Sequence, residues 1–161
     1  MKLMQELKIH QKYNFKMAKD IFTEAEQQRV REAIQEAELS TSGEVKIHIE
    51  RKLEGSVMDR ASHVFEQLEL HETKLRNGVL IYLAIESKEF AVIGDVGINQ
   101  KVPEGFWDST SLKMLELFKK GDFIGGLITG AKEAGLQLKV HFPYQKGDLN
   151  GLSDDISLRK K

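Results

Sequence analysis

The chain has 161 residues, room for one domain with one sizeable core, and its 40% hydrophobic and 30% charged content is that of a globular protein rather than a disordered one. A balance of 24 basic against 25 acidic side chains leaves a net charge of -1, so no general attraction to nucleic acid or to an anionic membrane exists. With no cysteine, disulfides, thiolate nucleophiles and zinc–thiolate sites are excluded.

Residues 1–16 are polar and carry Lys2, Lys8, Lys12 and Lys16. A secretory leader has an apolar run of about 7–15 residues, which this stretch lacks. The longest apolar run, Val79 to Ile85, is far short of the roughly 20 residues a membrane span needs. The expected organisation is an N-terminal extension at 1–16, a domain at 17–143 and a polar tail at 144–161, in a cytoplasmic protein with no direct membrane insertion.

Thr23-Glu-Ala-Glu26 has the form of a capping box. The helix it opens places Val30, Ala33, Ile34 and Ala37 at helical spacing and ends at Ser40-Thr-Ser-Gly43. Glu44 to Glu50 alternates, with Val45, Ile47 and Ile49 opposite Lys46, His48 and Glu50, which predicts a half-buried strand near a sheet edge. Val57, Ala61, Val64, Phe65 and Leu68 predict a second helix. Val79 to Ile85 reads as a central strand covered on both faces, and Glu89 to Ile93 as the return arm of a hairpin turned at Glu86-Ser-Lys88. Residues 96–104 read as a loop containing Pro103, and Phe106 to Lys119 as a helix with Leu112, Leu115 and Phe118 inward. A last helix follows Asp122, its natural cap, and runs to about Val140 before Pro143. Its glycines, Gly125, Gly126, Gly130 and Gly135, each cost a helix up to about 1 kcal/mol and point to close packing. The order predicts a mixed sheet, a parallel pair plus a hairpin, with helices on its faces.

That topology has a chemical consequence. Parallel first and second strands start at one end of the sheet, and the hairpin returns the third strand to that end. Glu44, Asn77 and Asp95 are thereby expected to converge, with Asp122 joining them if the last helix packs over the same end. Calcium and magnesium take oxygen ligands from carboxylates, amides and carbonyls, so Glu44, Asp95 and Asp122 are candidate ligands beside Arg76, Asn77, Gly94 and Trp107. The alternative is structural: Asp95 as a turn residue, Asp122 as a cap, and Glu44 paired with Arg76. Phe106-Trp107 is the aromatic pair nearest this end, with core packing favoured over ligand contact. His10, His48, His63, His71 and His141 show no metal-ligand spacing, and there is no nucleophile elbow or phosphate-cradling loop.

Thr41-Ser-Gly-Glu44, Arg76-Asn-Gly-Val-Leu-Ile-Tyr82, Ile93-Gly-Asp95-Val-Gly-Ile98, Phe106-Trp107 and Gly121-Asp-Phe-Ile-Gly-Gly126 resemble, in order and spacing, the TPM domain family over roughly Phe22 to Pro143. The chain looks most like the soluble bacterial branch without signal peptide or membrane anchor. The resemblance implies an α/β/α sandwich, a small mixed sheet flanked by about four helices, with a divalent-cation site built from acidic residues. Plant thylakoid members of the family were described as acid phosphatases linked to photosystem II repair, and an animal member is an auxiliary receptor subunit. Glu44 and Asp95 fall on the acidic motif positions, with Asp122 less firmly placed. Many secreted members carry Asp-Asn-Gly where this chain has Arg76-Asn-Gly, which either weakens a cation site or offers a receiver for phosphate or carboxylate. The expectation is a calcium- or magnesium-binding domain acting in interaction or regulation. The alternatives are a metal-dependent acid phosphatase and a structural partner of a membrane-associated protein.

Overall fold

A computed structural model describes residues 22–144. The expected extension at 1–16, the start of the domain at 17 and nearly all of the tail lie outside the described residues. The elements in chain order are α1 (Glu24–Glu38), β1 (Glu44–Glu50), α2 (Val57–Gln67), a 3-10 turn (Leu70–Glu72), β2 (Gly78–Ala84), β3 (Glu89–Gly94), α3 (Val96–Asn99), α4 (Phe106–Lys119) and α5 (Phe123–His141).

β2 is the central strand, parallel to β1 with Glu44 opposite Gly78, and antiparallel to β3 with Val79 opposite Gly94. Strand alternation sorts β2 into two faces. Val79, Ile81 and Leu83 join Ile34, Met114, Phe118, Leu127 and Leu138 in a core shared with α1, α4 and α5. Leu80, Tyr82 and Ala84 join Ala61, Val64 and Phe65 beneath α2. Helices therefore cover both faces of a mixed sheet, the α/β arrangement that the element order predicts.

The local signals act as expected at several points. Thr23 and Glu26 close the capping box, with Thr23 N–H donating to Glu26 Oε1 at 2.9 Å and Glu26 N–H donating to Thr23 Oγ1 at 3.1 Å. The glycines of α5 admit neighbours closely. A Cβ at Gly130 would lie 2.8 Å from Met114 Sδ, and one at Gly135 would lie 2.7 Å from Ala37 Cβ.

Three expectations are corrected. β1 is an edge strand, but all seven of its residues are buried, its polar side chains lying on the α2 side of the sheet where Glu50 meets Arg60 and Tyr82. Residues 96–99 are a short helix rather than loop, capped by Asp95. In α4 the buried positions are Thr110, Ser111, Met114 and Phe118, while Leu112 is exposed. The buried set follows the four-residue step from 110 to 118, and Leu112 lies off that stripe.

Candidate functional site

The start of β2 is the centre of the site. Gly78 pairs with Glu44, and the Asp95 N–H donates to Gly78 O at 2.9 Å. Glu44, Gly78 and Asp95 are level in one row across the sheet end, and Glu44 N–H reaches at 3.5 Å the carbonyl of Asn77, which stands one residue before that row with its side chain on the alternate face. With strands about 4.8 Å apart, the outer two backbones of that row stand roughly 10 Å from each other. Glu44, Asn77 and Asp95 are buried, at 2%, 1% and 6% relative exposure.

Two loops fix the row. Thr73 holds the segment before β2: its carbonyl accepts from Arg76 N–H at 3.1 Å and its Oγ1 from Asn77 N–H at 3.0 Å. Arg76 adopts a left-handed backbone, with φ of 53°, an uncommon conformation for a residue with a side chain. Gly97 packs directly beneath it, its N–H donating to Arg76 O at 2.8 Å. A Cβ there would stand 2.1 Å from Leu75 O, so only glycine allows this approach.

The strongest polar contact at this end is the bidentate pair of Arg76 and Asp95. Nε and Nη2 donate to Oδ2 and Oδ1 at 2.7 and 2.9 Å. Oδ1 also accepts from Val96 N–H at 2.7 Å, capping α3. The hydrogen bond donated to Asp95, and then the charge of that carboxylate, raise the affinity of the Arg76 guanidinium for its proton. Arg76 therefore pairs with Asp95, not with Glu44 as in the structural alternative read from the sequence. Its side chain remains 48% exposed, whereas the aspartate is 6% exposed.

Asn77 donates its amide to Ser42 Oγ at 3.3 Å, yet its buried Oδ1 has no hydrogen-bond partner among the described residues. A buried amide oxygen left unpaired costs on the order of 1–3 kcal/mol. Such an atom at a functional position points to a ligand.

Gly94 and Trp107 border the row. Asn99, unremarked in the sequence, joins them: its amide donates to Gly94 O at 2.8 Å and its Oδ1 accepts from Trp107 Nε1 at 2.7 Å. A Cβ at Gly94 would be 2.7 Å from Asn99 Oδ1 and 2.9 Å from the Trp107 ring. Trp107 packs partly on the core, edge-on to Phe106 with centroids 4.9 Å apart. Asn99 stands four residues after Asp95, and that helical spacing at a capped turn was the signal that could have found it.

Asp122 is not part of the row. It caps α5, with Oδ1 accepting from Gly125 N–H at 2.8 Å. The other end of α5 is the one that reaches the site: Thr41 Oγ1 donates to Leu138 O at 3.1 Å, and Leu138 packs on Gly43. At about 1.5 Å per residue, Asp122 lies about 24 Å from Leu138 along the helix. The condition on which it was expected to converge, α5 starting over this end, does not hold. Among the described residues no three histidine or acidic side chains group as a metal cage. The oxygen-bearing side chains named at the sheet end are Glu44, Asp95 and Asn77.

A second polar cluster lies on the α2 face of the sheet. Arg60 Nε and Nη2 donate to Glu50 Oε2 and Oε1 at 2.8 and 2.7 Å, Tyr82 donates to Oε2, and His48 Nε2 stands 3.3 Å from Oε1. Burial alone pushes the Glu50 carboxyl up, but hydrogen bonds from Arg60 and His48, the His48 charge and the Tyr82 hydrogen bond outweigh it and hold it at about 2. Burial, then the Glu50 charge, push the Tyr82 phenol well above its ordinary range.

A family model described as the TPM domain matches residues 16–137. Among solved structures, the NMR structure of BA42 protein from the psychrophilic bacterium Bizionia argentinensis is similar at 44% sequence identity, with a TM-score of 0.78. The likeness covers 84% of this chain and 94% of that one. No match is found among curated proteins. With the family model spanning residues 16–137 and the similar solved structure 44% identical, the protein belongs to the TPM domain family.

Proposed function

We propose that this TPM domain binds a divalent cation, calcium or magnesium, at the start of β2, and that it acts in interaction or regulation. The observation that carries the reading is the buried, unpaired Asn77 Oδ1 at the sheet end where Glu44 and Asp95 also lie. Glu44 and Asp95 would supply charge, Asn77 a neutral oxygen, and a bound dication would bring positive charge to the sheet end and order around it the Thr73–Asn77 and Asp95–Asn99 segments. A cytoplasmic setting is part of the proposal, supported by the polar, cysteine-free composition. Among the described residues no helix is long and apolar enough to cross a membrane.

Titration with calcium and with magnesium, followed residue by residue by NMR, tests the reading. Saturable shifts at Gly43–Glu44, Asn77 and Gly94–Asp95, together with a raised melting temperature, are expected. Absence of both responses, with Asp95→Asn still folded, removes it.

One observation favours a second reading. The half-exposed Arg76 guanidinium beside the acidic row could receive a phosphoryl oxygen in a metal-dependent acid phosphatase. That reading requires metal-dependent hydrolysis of a generic phosphomonoester, abolished in Asp95→Asn. A flat assay from about pH 4 to 8 counts against it, since a general acid or base would titrate there.

A further inference from the structure

The C-terminal halves of α1 and α5 meet along an open groove of about 360 Å³. Its shape follows from small side chains. Ala33 and Ala37 line it from α1 and Gly135 from α5, and a Cβ at Gly135 would stand 2.7 Å from the Ala37 Cβ. Helices in such close approach, with nothing larger than methyl groups along the seam, leave a shallow channel above it. Leu39 and Leu136 stand at its edge, 75% and 61% exposed. Lys132 and Lys139 bracket Leu136 one turn to either side, against the single carboxylate of Glu36, so the groove is apolar with a net positive rim.

We propose that this groove is an interaction surface whose occupant is the chain's own C-terminal segment, residues 148–158. The inference is independent of the cation reading.

The end of the described chain aims at the groove. Phe142 O accepts from Ser42 N–H at 3.1 Å, Thr41 and Pro143 form an antiparallel bridge, and Tyr144 N–H donates to Ser40 O at 2.8 Å. Each step forward from 142 to 144 is thus a step back from 42 to 40, and Ser40 itself lines the groove. The reach is ample. At about 3.3 Å per extended residue, the stretch from Tyr144 to Asp148 spans up to about 13 Å, and the groove runs about 10 Å along α1 from Ser40 back to Ala33.

Composition matches as well. Residues 148–158 read Asp-Leu-Asn-Gly-Leu-Ser-Asp-Asp-Ile-Ser-Leu. Leu149, Leu152, Ile156 and Leu158 suit an apolar channel, and three aspartates with no basic residue among them suit the rim of Lys132 and Lys139. The tether decides between this segment and a free peptide of like composition. A short linker holds its segment at an effective concentration of about millimolar, so even weak contacts fill the groove from within the same chain.

Because the chain has no cysteine, Ser157→Cys takes a single nitroxide label beside Ile156 and Leu158, and amide line broadening in the full chain reads where that label sits. Strong signal loss is expected at Ala37, Gly135 and Leu136, and none at Met58 and His63 of α2, which packs on the other face of the sheet. Adding Leu152→Asp and Ile156→Asp to the labelled chain should restore the groove signals. Leu136→Glu, a change at an exposed site on the groove edge, should restore them too. Groove signals that stay equally broadened with both aspartates in place would reflect the tether alone and overturn the docking. Equal loss in isotope-labelled chains without nitroxide, mixed with spin-labelled ones, assigns the occupant to a second copy and overturns docking within one chain. No loss at the groove overturns the proposal outright. If Leu136→Glu does not fold, the two aspartates decide the matter, since they leave the groove residues untouched.

Discussion

Replacing Glu50 with glutamine isolates one buried charge and makes a quantitative statement about pH. Glu50 is fully buried, and its carboxyl titrates at about 2 in the folded protein against 4.5 for the ordinary side chain. A folded value below the unfolded one means the stabilisation is present above pH 4.5 and lost as pH falls toward 2. At about 1.4 kcal/mol per unit, the full contribution near neutrality is about 3 kcal/mol. Integration of the two titrations leaves about 1.5 kcal/mol of it at pH 3. Glu50→Gln keeps an acceptor for Arg60 and Tyr82 but removes the charge, so it should be less stable than the parent by about 3 kcal/mol at pH 7 and by about half that at pH 3. Urea unfolding followed by the fluorescence of Trp107, the single tryptophan, measures both gaps. A gap of the same size at the two pH values would show that the carboxyl is not ionised against Arg60 and that the reasoning fails.

Asp122→Ala should cost about 1 kcal/mol by loss of a helix cap and leave any calcium or magnesium isotherm unchanged, because the residue lies at the far end of α5; a weakened isotherm would return it to the site. Thr23→Ala should likewise cost about 1 kcal/mol in urea unfolding, since it opens the capping box, and a change within error would mean that α1 does not depend on the cap. Gly97→Ala should destabilise by about 1–3 kcal/mol or more and shift the amides of Arg76 and Asp95, because its Cβ meets backbone carbonyls that cannot turn aside; unchanged stability and spectrum would contradict the close approach.

Much of this fold was legible because its signals are local. Capping at Thr23, the apolar run of β2, the hairpin and the inward stripe of α2 each depend on neighbours a few residues away. The convergence of Glu44, Asn77 and Asp95 was legible for a different reason: a parallel pair followed by a hairpin leaves little choice of where those strand ends lie. Where the reading missed, the partner was remote. The alternation of β1 marked Lys46, His48 and Glu50 as its outer side, and nothing in the strand reveals that α2 covers them. Arg60 neutralises Glu50 only once the crossover has set α2 on that face of the sheet, a fact of packing and not of spacing. Asp122 failed for a similar reason: its identity as a cap was visible, but which end of α5 meets the sheet start was not.

The two guanidinium–carboxylate pairs share one motif and differ in what surrounds them, and that difference separates structure from function. Glu50 is 0% exposed with Arg60 at 26%, and a tyrosine and a histidine complete its shell beneath α2. Exchange of that arginine for a hydrated ion would need the helix to lift, uncovering the core of Ala61, Val64 and Phe65. Asp95 has the same bidentate partner, but its arginine is 48% exposed and departs without disturbing any helix. In both pairs the carboxylate is buried, so removal of either arginine leaves a buried charge without its partner. Of the two, only the pair at the start of β2 presents its arginine half exposed to solvent. The unpaired Asn77 oxygen lies at that end of the sheet, beside the pair whose arginine is open to solvent, whereas the closed shell around Glu50 is architecture.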